Sequence, residues 1–298
     1  MGPMIFQLWL GIACARCGSS FFDETIRAQP CVVSRHEKLL GHLGEPLDFG
    51  NLSRPAAQYA AFESARAEAK SRRSAFDGCA TVRLGGKLLA PRLLRMNVRP
   101  RWASDGSRNE AGRRARLKGA LRTLARALAA RTAEGPARTI LFLRKNPLDL
   151  WLARRASALF GAKHACAPGE ACQRVGAAAV DIGAAVAGVR AAAEELAWLR
   201  AEVPVVARNN RLPLLVVYYE DLLRRPDLWR GRVFPFLGLG GAREAPQAKY
   251  AKRAGNATQR ERLTNYDDVA AALRNAGLGA ALRDELRVDV DPDVLELT

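Results

Sequence analysis

Arg16-Cys17-Gly18-Ser19-Ser20-Phe21 follows an apolar run at residues 4–15 and opens a stretch patterned as a helix. A buried strand that turns through a cation, a glycine and two hydroxyls into a helix is suited to holding phosphate. The glycine lets the backbone come close, the first helical N–H groups point at the anion, and Arg16 and the hydroxyls add donors. A tight strand-to-helix turn with Ser19 as its N-cap fits this hexapeptide equally well. The rest of the chain has to decide between them.

Working outward, short apolar runs alternate with longer helical ones, which predicts an α/β fold. Strands are expected at 5–13, 31–33, 79–83, 139–143 and 214–219. Helices are expected at 19–27, 55–76, 111–133, 147–160, 181–207 and 267–275. The runs 139–143 and 214–219 are apolar throughout, as in strands covered on both faces. Pro55 and Pro147 suit first helical turns. Stretches 44–52, 97–109 and 238–262, rich in Gly, Pro, Arg or Asn, read as loops. No composition break marks a boundary, so 1–298 reads as one domain with irregular insertions around 44–110 and 162–174.

The 298 residues can bury a sizeable core. With 47 Lys and Arg against 30 acids the net charge is +17, which implies an anionic partner: nucleic acid, an acidic lipid surface or a polyphosphorylated small molecule. The five Trp, five Tyr and ten Phe are not interleaved with the basic runs, so no stacking platform for single strands is indicated and no specific nucleic acid is expected. No apolar run approaches the roughly eighteen residues of a membrane span. The first apolar run has no basic region ahead of it and reads as a buried strand rather than a signal peptide, which leaves the compartment open.

The cysteines at 14, 17, 31, 79, 166 and 172 form neither a dense disulfide framework nor a zinc-ribbon spacing. Cys14-x-x-Cys17 lies at a strand end with no second pair at zinc-module distance. Cys166 and Cys172 suit a local disulfide in an oxidising compartment better than a metal site with the nearby His164.

Three more stretches matter. Leu143-Arg144-Lys145-Asn146-Pro147 repeats the first design, a strand ending in two cations before a helix, where open α/β sheets bind ligands. By itself it reads as a helix start with solvated charges. Tyr218-Tyr219-Glu220-Asp221-Leu222 reads as a strand end and an acidic helix start, followed by the apolar stretch 233–239. Finally, Lys252-Arg253-Ala254-Gly255-Asn256 precedes Leu263-Thr264-Asn265-Tyr266-Asp267-Asp268-Val269, a helix entry capped by Asn265 or Asp267.

In this order the stretches resemble the sulfotransferases that use 3'-phosphoadenosine 5'-phosphosulfate (PAPS), above all the nodulation-type branch of plants, algae and bacteria that acts on carbohydrates. The resemblance runs discontinuously over most of the chain, through Phe22-Asp23-Glu24-Thr25, Val32-Val33-Ser34-Arg35-His36-Glu37 and Phe236-Leu237-Gly238-Leu239, and is weak at 44–130. It implies a three-layer α/β/α fold with a central, mostly parallel sheet, P-loop NTPase-like. It also implies that the first loop, matched by Arg16, Gly18, Ser19, Ser20 and Phe21 around Cys17, holds the 5'-phosphosulfate. Gly18 is followed directly by Ser19 and Ser20, without the lysine of a Walker loop, which argues against kinase chemistry and for a phosphosulfate cradled without a metal.

The roles implied are specific. Arg16 and the N–H groups of Ser19 and Ser20 stabilise charge on the leaving phosphate. Phe21 packs on adenine or seals the site, or is an ordinary core aromatic. The general base falls on Glu37, with His36 as its neighbouring alternative; either also fits a solvated residue at a helix start, which is the preferred reading of His36. For the 3'-phosphate the family expects an arginine and, eight positions on, a serine; this chain has Lys145 and Ala153. Lysine keeps the charge but loses the bidentate fork, and Arg144, Lys252 and Arg253 are the candidates to compensate. The expected reaction moves a sulfuryl group from PAPS to a hydroxyl, with a sugar as the expected acceptor and adenosine 3',5'-bisphosphate as product. The two departures keep a second class open, a binding protein with this fold and a decayed site. Charge alone suggests a third, a basic nucleic-acid binder.

Overall fold

In the computed structural model the described residues are 5–14, 16–34, 81–89, 118–119, 121–122, 125, 137–160, 177–239, 258–282 and 296–297. They form a mixed α/β structure around one sheet. Its strands are β1 (Ile5–Ala13), β2 (Val32–Ser34), β3 (Thr81–Leu89), β4 (Arg138–Leu143), β5 (Leu214–Tyr218) and β6 (Glu296–Leu297), in the spatial order β2-β3-β1-β4-β5-β6. The pairs β2·β3, β3·β1, β1·β4 and β4·β5 are parallel, and β6 closes the edge antiparallel to β5. Every residue of β5, and all of β4 except half-buried Arg138, is buried. This is the apolar-throughout pattern of strands covered on both faces.

The helices are α1 (Ser19–Arg27), α2 (Pro147–Phe160), α3 (Ile182–Asn209), α4 (Tyr219–Arg224), a π-helical turn Trp229–Val233 that runs into α5 (Phe234–Phe236), then α6 (Gln259–Arg262) and α7 (Tyr266–Asn275). Asp181 caps α3, its carboxylate accepting the Ala184 N–H at 2.6 Å. Ala185, Val189, Ala192, Leu196, Leu199, Val203 and Val206 then recur every three or four residues on the buried side of α3. A Cβ on Gly188 would overlap the Trp151 indole, so glycine is what lets α2 and α3 approach there.

Several boundaries differ from expectation for identifiable reasons. Cys31 has φ 63°, a left-handed value that an extended strand does not allow, so β2 starts at Val32 rather than 31. β3 runs to Leu89 instead of stopping at 83, because parallel pairing with β1 carries it past Gly85 and Gly86. Tyr219 opens α4 rather than ending β5. Within 238–262, read as loop, Gln259–Arg262 is helical with a capping box: Thr258 accepts the Glu261 N–H, and Glu261 accepts that of Thr258. The helices expected at 55–76 and most of 111–133, and the loops at 44–52 and 97–109, lie outside the described residues.

The core is aromatic at its centre. Phe22 stacks near Phe142 at 4.8 Å and Trp229 at 5.4 Å, and Trp229 meets Phe234 at 5.6 Å. A second junction ties the late segment to the start of α2. Asn146 and Gln259 both donate to the Ala281 carbonyl, at 3.0 and 3.1 Å, and buried Arg262 pairs with buried Asp149.

Candidate functional site

The chain leaves β1 toward β2 on one side and leaves β4 toward β5 on the other, although β1 and β4 are neighbours. Their carboxyl ends therefore flank a topological switch point, the place where open α/β sheets bind ligands. The turn from β1 carries Arg16 to Ser20, and the turn from β4 carries Arg144 and Lys145. The register, Ala13 beside Phe142 and Leu143 beside Tyr218, brings both turns and the start of α4 to one edge.

Arg16 and Gly18 both have left-handed backbones, φ 66° and 85°. Gly18 is the N-cap of α1, displacing Ser19 from the cap position expected of it, and as a glycine it supplies no side-chain cap. Ser19 is buried and Ser20 exposed. Partial burial lowers the Arg16 pKa from its ordinary value. Phe21 lies edge-on to Tyr219 at 6.1 Å and to Trp229 at 5.9 Å, a core-aromatic environment. The sequence showed Cys14-x-x-Cys17 without a role; the two sulfurs are bonded to one another, with Cα atoms 5.5 Å apart, closing a ring around Arg16.

Tyr219 joins the two turns. A Cβ on Gly18 would overlap its ring, and the Arg144 guanidinium stands 4.8 Å from the centre of the same ring. Arg144 also donates to the Asp149 carbonyl at 3.1 Å. Lys145 is differently placed. Its ammonium is 2.8 Å from Asp221 Oδ1, and its backbone N–H donates to Glu220 Oε2 at 3.1 Å. Burial holds the Glu220 carboxyl above its usual range, against the opposing pull of Arg144 and the Lys145 N–H.

One contributor was missed by the sequence reading. Arg200, exposed on α3, donates to the Arg144 carbonyl at 3.2 Å, and its guanidinium sits 5.3 Å from the Tyr218 ring centre. Lys145 Nζ lies 5.4 Å from that ring. No signal in the sequence pointed to Arg200, since it is one of many exposed helical arginines. Ala153 lies half-buried within α2.

Glu37, His36, Lys252, Arg253, Cys166 and Cys172 lie outside the described residues. Ser34, the last described residue before Arg35-His36-Glu37, donates to buried Asp23 and ties the end of β2 to α1. Asn265 is the N-cap residue of α7, but its side chain bonds Val180 in both directions instead, at 3.1 and 2.8 Å. Among the described residues no group of three or more His, Cys, Asp or Glu could hold a metal, and no helix is long and apolar enough to cross a membrane. The chain matches no family model, no curated protein and no solved structure.

Proposed function

We propose that this protein is a sulfotransferase that moves a sulfuryl group from PAPS to a hydroxyl acceptor, a sugar being the favoured class. The observation that carries the reading is the convergence of two cationic strand-end turns on Tyr219 at the switch point between β1 and β4. The strand order β2-β3-β1-β4-β5 in parallel agrees with a P-loop-like sheet. α1 opens with a glycine at its cap position beside Arg16, and its N-terminal end suits a phosphate.

In the reaction the acceptor oxygen forms a bond to sulfur while the bond from sulfur to the 5'-phosphate oxygen breaks. The acceptor proton goes to Glu37, and charge left on the phosphate is stabilised by Arg16 and the α1 N–H groups. Positioning and electrostatics supply most of the rate, as in phosphoryl transfer.

A second reading has its own support. Lys145 is engaged by Asp221 and Glu220, which fits a site that has lost its grip on a 3'-phosphate and serves only for binding. Titration with adenosine 3',5'-bisphosphate, followed by a sulfate-transfer screen over sugar, steroid and phenol acceptors, separates the two. The enzyme binds the bisphosphate, loses it with Arg16→Ala, transfers sulfate, and loses turnover far more than affinity with Glu37→Gln. Binding without transfer favours the decayed site. Salt-steep binding to any duplex without bisphosphate binding overturns both.

A further inference from the structure

We infer that Arg200, together with Arg144, is the anion-holding pair at the β4–β5 end of the crevice, in place of Lys145. The inference rests on the nucleotide-binding reading above and names which side chains meet the second phosphate monoester of that nucleotide.

Charge placement carries it. Arg144, Lys145 and Arg200 crowd the Tyr218 and Tyr219 rings, at 4.8, 5.4 and 5.3 Å from a ring centre. Of the three, Lys145 already has a carboxylate partner at 2.8 Å, and both members of that pair are nearly buried, with side chains 11% and 6% exposed. Drawing the ammonium onto a ligand would leave Asp221 buried and unpaired, which is costly.

Arg144 and Arg200 belong to none of the ion pairs among the described residues. Arg144 Nε is buried with no hydrogen-bond partner among those residues. Arg200 uses one guanidinium nitrogen on the Arg144 carbonyl, which locks the two side chains' elements together and leaves the rest of its planar fork to solvent. The two guanidinia lie on adjacent tyrosine rings with no carboxylate in ion-pair contact, the one nearby carboxyl that Arg144 pulls on, Glu220, being held above its usual range by burial, and such a pair is stabilised by a dianion. A guanidinium fork also suits the geometry of a phosphate better than an ammonium does.

The test is calorimetric titration of the whole protein with adenosine 3',5'-bisphosphate and with adenosine 5'-monophosphate. Arg200→Gln is expected to weaken the bisphosphate about tenfold, the scale of one charge-assisted hydrogen bond, and to leave the monophosphate nearly unchanged. Arg200→Lys falls between, and being exposed and charge-conserving it keeps the test open should the glutamine variant fold poorly. If Arg200→Gln binds both nucleotides like the unsubstituted protein while Arg16→Ala abolishes binding, the Arg200 assignment fails and the nucleotide reading stands. Equal weakening of both nucleotides also overturns the assignment to the second phosphate. A flat titration of the unsubstituted protein overturns both.

Discussion

Lys145 Nζ and Asp221 Oδ1 are 2.8 Å apart across the ends of two adjacent strands, and both side chains are almost sealed from water. Each is poised by the β4–β5 register, which sets Leu143 beside Tyr218. Removing the carboxylate charge by Asp221→Asn should free the ammonium. Bisphosphate affinity should rise several-fold while unfolding free energy falls by about 1–3 kcal/mol, as for a lost buried charged hydrogen bond. Calorimetry and urea unfolding read the two effects. Unchanged affinity would place Lys145 away from any ligand.

Gly18→Ala should destabilise the protein by more than about 2 kcal/mol, combining a left-handed penalty with an overlap on the Tyr219 ring. Adding Tyr219→Ala should remove the overlap and leave the backbone penalty. A double variant whose loss of unfolding free energy equals the sum of the two single losses, by urea unfolding, would show that ring and glycine do not compete for space.

Glu220 gives a pH dependence with a definite sign. Its carboxyl is raised in the folded state, mainly by burial, so the native protein holds a proton that the unfolded chain has released. Stability from this group is therefore complete below the ordinary glutamate range and is lost as pH rises through the folded value. Glu220→Gln can still accept the Lys145 N–H, and it should flatten the decline in melting temperature as pH rises above that range. An identical pH profile for both proteins would refute the sign.

The Asp149–Arg262 pair is buried on both sides. Asp149→Ala strands a buried guanidinium and should cost about 3–5 kcal/mol. Asp149→Leu combined with Arg262→Met should recover most of that loss in chemical denaturation. A double variant as unstable as Asp149→Ala would mean that the pair's hydrogen bonds, not its charges, hold the late segment.

How much of this was visible in the sequence depended on how local the signal was. α1 and α2 fall at 19–27 and 147–160 as expected, since a glycine–serine entry and Pro147 mark their starts locally. β3 reads short from sequence because Gly85, Gly86 and Lys87 interrupt its apolar run, and only the β1 partner explains its length. The Thr258–Glu261 box is readable but lies in a stretch of Gly, Ala and basic residues with no apolar periodicity. At the site, the turns carrying Arg16 and Lys145 were legible as strand ends. The pairing of Lys145 with Asp221, and the arrival of Arg200 from α3, depend on strand register and helix placement that no local pattern encodes.

The position of β1 has a consequence for how the chain is assembled. Its hydrogen-bonding neighbours, β3 and β4, are both supplied much later in the chain, the second ending at Leu143. On a ribosome one edge of β1 must wait until Leu89 has been made, and the other until Leu143 has. The high contact order at the sheet's middle makes closure there slow. The turn bearing Arg16 is thus made well before the strand that comes to lie beside it.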